Sequence, residues 1–189
     1  MKIGIYGGSF NPIHFGHTGL AKWVLENTDL DEVWLMVSPN NPLKDKSILA
    51  DEQERLDAAK EAIMDKGYGV MDNGKRIVVS DFEFHLPRPT YTANTLRALA
   101  QAYPEHNFTL IIGEDNLTIF DQWREYQYIL DNYRIFVYPR RKASQNATSV
   151  FGDPAEAKGE RRKARGIIFL AEAPYFDISS TELRKNLHK

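Results

Sequence analysis

Two histidines three positions apart, His14 and His17, stand in a run from Gly7 to His17 that reads GGSFNPIHFGH. Imidazoles at that spacing, close to a helix start, share one side of a turn. They can donate hydrogen bonds to phosphoryl oxygens and, when protonated, offset the charge of a crowded phosphoryl transition state. Gly7 and Gly8 have no Cβ, so a sharp turn with a close approach of backbone to ligand is expected there. The helix expected from about Thr18 would aim free N–H groups and the positive end of its dipole at the same spot. The expected guest is a phosphate, and the chemistry is electrostatic, with no covalent intermediate. A Gly-Gly turn or a histidine pair alone belongs more often to ordinary capping and packing, whereas the whole string is far more specific. Zinc would need a third and usually a fourth ligand. The chain has no cysteine, and His85, His106 and His188 sit in no ligand spacing, so no protein-held metal is expected.

The elements that must carry these residues follow from periodicity. Ile3-Gly4-Ile5-Tyr6 reads as a buried strand, Leu20, Trp23 and Val24 as one face of a helix, and Glu32 to Val37 as a second strand. Strand, helix, strand implies a parallel pair with a right-handed crossover, and ligands of such sheets gather at the carboxyl ends of the strands. Further strands are expected from Ile77 towards Phe84, at 108–112, at 134–138 and at 166–170. Asp51 to Lys66 reads as an amphipathic helix whose charges form a solvated face. Another helix is expected around Thr92, with that threonine as its cap. A helical stretch from Leu117 would carry Phe120, Trp123 and Tyr126, and a shorter one would run from Tyr128 to Asn132. The fold class implied is α/β, a single Rossmann-like doubly wound domain with a mainly parallel sheet.

Several other residues fall where such a sheet presents its loops. Asn41 and Lys44 follow the second strand, where they are either a plain Pro/Asn turn or readers of polar groups and phosphate. Asp115, just past the strand that ends at Gly113, is placed to accept hydrogen bonds from ribose hydroxyls. Trp123 reads on spacing alone as core. Arg140, in the run Arg140-Arg141-Lys142, either faces phosphate or is solvated. Ser179 and Ser180 open a last helix, whose N-terminus offers N–H groups to an anion within reach of Arg184.

A chain of 189 residues with 42% hydrophobic content suits one domain, 1–189, with a mobile polar excursion at 144–165. A net charge of −2 argues against a general nucleic-acid binder, and the cations between positions 158 and 165 read as a solvated flap. No cysteine fits a reducing compartment. No apolar run approaches the roughly 18 residues of a membrane span, so a soluble cytoplasmic protein with no membrane partner is expected.

His14-Phe15-Gly16-His17 resembles the His-x-Gly-His motif of the nucleotidyltransferase superfamily. The chain as a whole is similar to the bacterial nicotinate-nucleotide adenylyltransferases. The resemblance rests on the first motif, Asn40-Asn41, the segment Thr90-Tyr91-Thr92-Ala93-Asn94-Thr95-Leu96, Gly113-Glu114-Asp115 with Trp123, and ISSTELR at 178–184. It implies a nucleotidyltransferase of NAD biosynthesis that takes ATP and nicotinate mononucleotide, with Mg²⁺ carried on the ATP phosphates. It further implies that ATP lies against Gly7, Gly8, Ser9 and Phe10, with adenosine near Gly113, Asp115, Ile178 and Ser179. His14, His17, Ser180 and Arg184 would surround the phosphates. Asn41, Thr92 and Trp123 would hold the mononucleotide, with Lys44 and Arg140 near its phosphate. The sequence departs from the pattern in the short loop after Asn41 and at Arg124, where an aromatic often follows the tryptophan. Two rivals are an adenylyltransferase acting on phosphopantetheine and a nucleotide-binding regulator without turnover. Oligomeric state is left open.

Overall fold

In a computed structural model that describes residues 1–39, 51–71, 73–140 and 166–176, the chain forms one six-stranded sheet in which every neighbouring pair is parallel. The strands are β1 (Lys2–Gly8), β2 (Glu32–Val37), β3 (Arg76–Ser80), β4 (Asn107–Gly113), β5 (Arg134–Tyr138) and β6 (Ile167–Phe169), in the order β3-β2-β1-β4-β5-β6. The strands alternate with helices α1 (Phe15–Asn27), α2 (Glu52–Asp65), α3 (Thr92–Ala102), α4 (Glu114–Leu117) and α5 (Tyr126–Asn132). Short 3₁₀ turns at Phe82–His85 and Phe120–Gln122 complete the described elements.

The central strands are apolar on both sides because both faces of the sheet are covered. Leu20, Val24 and Leu25 of α1 and Leu56, Ala59 and Ile63 of α2 pack with Val33, Leu35 and Ile111 on one face. Ala93, Leu96 and Leu99 of α3 and Ile129 of α5 pack with Ile5, Leu110 and Ile135 on the other. The order of the strands reverses between β1 and β4, so the loops after them diverge and leave a crevice at their carboxyl ends. Among the described residues no helix is long and apolar enough to cross a membrane.

Local boundaries differ from expectation in physically simple ways. Gly7 and Gly8 belong to β1, in register with Met36 and Val37, because ladder pairing keeps their backbone extended. The reversal comes two residues later, at Phe10, whose φ is 44°. Helix α1 then begins at Phe15 with His14 as its N-cap, earlier than Thr18. β3 stops at Ser80, whose hydroxyl accepts from the Phe82 N–H at 3.2 Å and starts a turn instead of continuing the strand to Phe84. The cap of α3 is Tyr91, and Thr92 is the first helical residue, with no side-chain capping bond. No continuous helix runs from Leu117, since Trp123 is extended and Glu125 is left-handed at φ 55°, so Trp123 lies on a bend between a 3₁₀ turn and α5. The expectations at Asn41, Lys44, 144–165, Ile178, Ser179, Ser180 and Arg184 lie outside the described residues.

Candidate active site

The crevice between β1 and β4 opens into a cavity of about 610 Å³. That is the size range of small-molecule and cofactor pockets. Gly7, Gly8, Ser9, Phe10, His14, His17, Thr92, Gly113, Asp115, Trp123 and Arg140 all line it, so every expected site residue among those described is brought to one place.

At the first edge, a Cβ on Gly7 would meet no protein atom within 4 Å, so this glycine leaves its space to the cavity. A Cβ on Gly8 would lie 3.1 Å from the ring of Phe10. That ring is buried at 2% exposure and sits edge-on to both Tyr6 and His17. A non-glycine residue in the left-handed region is uncommon. Burial of the Phe10 ring is what holds it there, and the result is a tight return of the chain into α1.

The histidines are stacked, with ring centroids 3.7 Å apart and planes 29° from parallel. His17 Nδ1 accepts the backbone N–H of His14 at 3.2 Å, which leaves the proton of a neutral His17 on Nε2. Burial first, and the nearby Arg140 guanidinium second, lower the pKa of His14 from 6.5 to about 4, so this ring is neutral at pH 7 in the empty site. Its Nδ1 is buried with no partner among the described groups. His14 therefore waits as an uncharged imidazole, and an arriving anion would favour its protonation.

Across the crevice, Arg140 Nε lies 3.3 Å from Asp115 Oδ1 at the start of α4. Gly113 makes this possible, because a Cβ there would stand 2.8 Å from Arg140 Nε and clash with the Asp115 carboxylate. Arg140 thus sits between the expected ribose acceptor and the imidazoles. Beneath it the Tyr6 and Tyr138 hydroxyls are 3.3 Å apart. Burial raises both phenol pKa values, so they remain neutral donors.

Two buried charged groups that sequence reading did not single out shape this edge. Arg55, on the face of α2 read as solvated, is 3% exposed. It donates to the carbonyls of Ser9 at 2.6 Å, Ser38 at 2.8 Å and Pro39 at 3.2 Å, joining the loops that leave β1 and β2. The signal was available, because Arg55 lies four residues before Ala59 and eight before Ile63, on the apolar stripe. Glu83 is buried and accepts from Thr95 Oγ1 at 2.8 Å and Thr90 Oγ1 at 3.3 Å. Desolvation raises its pKa against the opposing hydrogen bonds of Thr95, Ser38 and Thr90. It anchors the start of α3, where Thr92 faces the cavity. Trp123 packs at 5.2 Å from Phe120, and its buried Nε1 has no partner among the described groups.

The chain matches known proteins over nearly its whole length. A family model described as cytidylyltransferase-like matches residues 5–186. A protein of Flavobacterium johnsoniae named "Probable nicotinate-nucleotide adenylyltransferase" is 41% identical over 187 residues, covering 99% of this chain and 86% of its own. A relative of the same name from Bacteroides fragilis is 44% identical over 186 residues, 98% of this chain and 82% of its own. In fold, the chain is similar to the nicotinic acid mononucleotide adenylyltransferase of Plasmodium falciparum solved with NaAD. The TM-score is 0.73 at 21% identity, over 97% of this chain and 82% of that one.

Proposed function

The chain belongs to the nicotinate-nucleotide adenylyltransferases, within the cytidylyltransferase-like family, and from that premise we propose how its cavity works. The reaction moves the adenylyl group of ATP to nicotinate mononucleotide, giving deamido-NAD and pyrophosphate in NAD biosynthesis. An oxygen of the mononucleotide phosphate forms a bond to the α-phosphorus while the bond from that phosphorus to the β-bridging oxygen breaks. The nucleophile is already an anion, so no protein base is needed, and the work is positioning and charge stabilisation.

His14 and His17, at the start of α1, are assigned to the phosphates of ATP, together with Ser180 and Arg184 of the motif at 178–184. His17 would offer its Nε2 proton, and His14 would gain one as charge accumulates beside it. Gly7 to Phe10 form the wall against which the nucleotide lies. Asp115 keeps lone pairs beyond its contact with Arg140, which suits a ribose hydroxyl, with Gly113, Ile178 and Ser179 around adenosine. Arg140, between Asp115 and the imidazoles, is assigned to the mononucleotide phosphate, and so is Lys44. Thr92, Trp123 and Asn41 are assigned to the nicotinate end. Magnesium is read as part of the ATP substrate, supplying Lewis-acid neutralisation on phosphate oxygens.

The observation that carries this reading is that the stacked histidines, Arg140, Thr92 and Trp123 line one cavity at the point where the strand order reverses. Pyrophosphate release from ATP should occur with nicotinate mononucleotide and not with phosphopantetheine. Release with phosphopantetheine, or ATP binding without release, would overturn the assignment.

A further inference from the structure

Arg124 lines the same wall of the cavity as Tyr91, Thr92 and Trp123. Its guanidinium carbon lies 4.9 Å from the centroid of the Tyr91 ring, a cation–π contact. The neighbouring residues fix this pose. On one side Trp123 packs against Phe120, and on the other Glu125 takes a left-handed backbone, φ 55°, and reaches Arg97 of α3 at 2.8 Å. Arg97 is itself seated 4.2 Å over the Tyr128 ring. With residue 125 tied to α3, Arg124 extends along the start of that helix. Among the described residues it forms no ion pair, although it is a permanent cation facing a pocket.

Resting on the nicotinate mononucleotide reading above, we propose that Arg124 is a specificity-determining residue, whose guanidinium, held on Tyr91, pairs with the carboxylate on the pyridine ring and rejects the amide. The two mononucleotides differ only in that substituent. A guanidinium has five N–H donors and no acceptor, so it matches a carboxylate and meets the NH₂ of an amide donor to donor. The N-terminus of α3 at Thr92 adds unpaired N–H groups and a dipole of the same sign. Charge and helix end therefore select the acid together. Tyr91 holds the cation, and Trp123 supplies the ring surface without distinguishing the two substituents. Because Arg124 is exposed, salt should weaken its share of the discrimination.

The test measures kcat/KM for nicotinate mononucleotide and for its amide, at low and high salt, with the intact chain, Arg124→Gln and Arg124→Lys. Melting temperatures serve as a check that the variants fold. The expected result is an acid-to-amide ratio that falls about tenfold or more in Arg124→Gln and is largely kept in Arg124→Lys. The ratio should decline with salt in the unaltered protein and lose that dependence in Arg124→Gln. An unchanged ratio in Arg124→Gln, or an equal loss for both substrates, overturns the proposal while leaving adenylyl transfer intact. An unaltered protein that releases no pyrophosphate with either mononucleotide overturns the parent reading and this one with it.

Discussion

The stacked imidazoles differ in what governs their protons. His17 has a fixed tautomer, set by the backbone N–H of His14, and so presents a preorganised donor. His17→Ala should fold normally and lose on the order of 10²–10³ in kcat, the scale of one such donor; steady-state turnover with a circular dichroism control decides it. His14 is the titrating partner. Its pKa is lowered to about 4 by burial and by Arg140, so between that value and 6.5 the unfolded chain holds more protons than the folded one. Stability must then fall as the pH drops through this window. The loss in melting temperature between pH 7 and pH 5 should be smaller in His14→Gln than in the unaltered protein. ATP phosphates placed beside His14 would reverse the shift, so nucleotide binding at about pH 5 should take up protons. Calorimetry in buffers of different ionisation enthalpy reads that uptake directly.

Between the loops, Arg55 acts as a clamp, because one guanidinium satisfies carbonyls from the ends of β1 and β2. Arg55→Ala would remove three charge-assisted bonds to these loop carbonyls and should cost about 2–4 kcal/mol. In a chain of this size that is a fall in melting temperature of roughly 5–15 °C. A shift under about 2 °C would show that the clamp carries no such weight. The strands and their parallel pairing were legible in the sequence because buried apolar runs alternating with helices leave few other solutions. The histidine motif and Asp115 were legible because strand ends and helix starts are where a parallel sheet receives anions. Arg55 and Glu83 were not singled out, since a charged residue on an amphipathic helix or beside a turn is usually solvated. The place of Arg55 on the apolar stripe hinted at its burial, but only the carbonyls and hydroxyls that converge from distant segments show what Arg55 and Glu83 hold. The helix expected from Leu117 through Tyr126 was missed for a related reason, as its aromatics kept a helix-like spacing while Trp123 and Glu125 left helical backbone.

The whole molecule is polarised along its strands. The cavity lies at their carboxyl ends, while ion pairs of structural kind lie at the amino ends, where Arg76 meets the buried Glu32 at 2.6 Å and Arg134 and Lys2 share Asp29. Arg76→Ala should therefore lower the melting temperature by several degrees, since the buried Glu32 would lose its guanidinium partner and keep the Trp34 indole N–H at 2.6 Å, and should leave kcat unchanged. A fall in kcat larger than twofold in the folded variant would contradict this division of the sheet. The same polarity has an optical consequence. Of the three tryptophans, Trp34 is bonded to Glu32 at the amino ends and Trp23 packs on α1 away from the cavity, whereas Trp123 alone lines it. Intrinsic emission is thus a sum of two contributions remote from the cavity and one at its wall. A pyridine ring arriving over Trp123 should quench only that component, and in Trp123→Phe the same titration should leave the light unchanged.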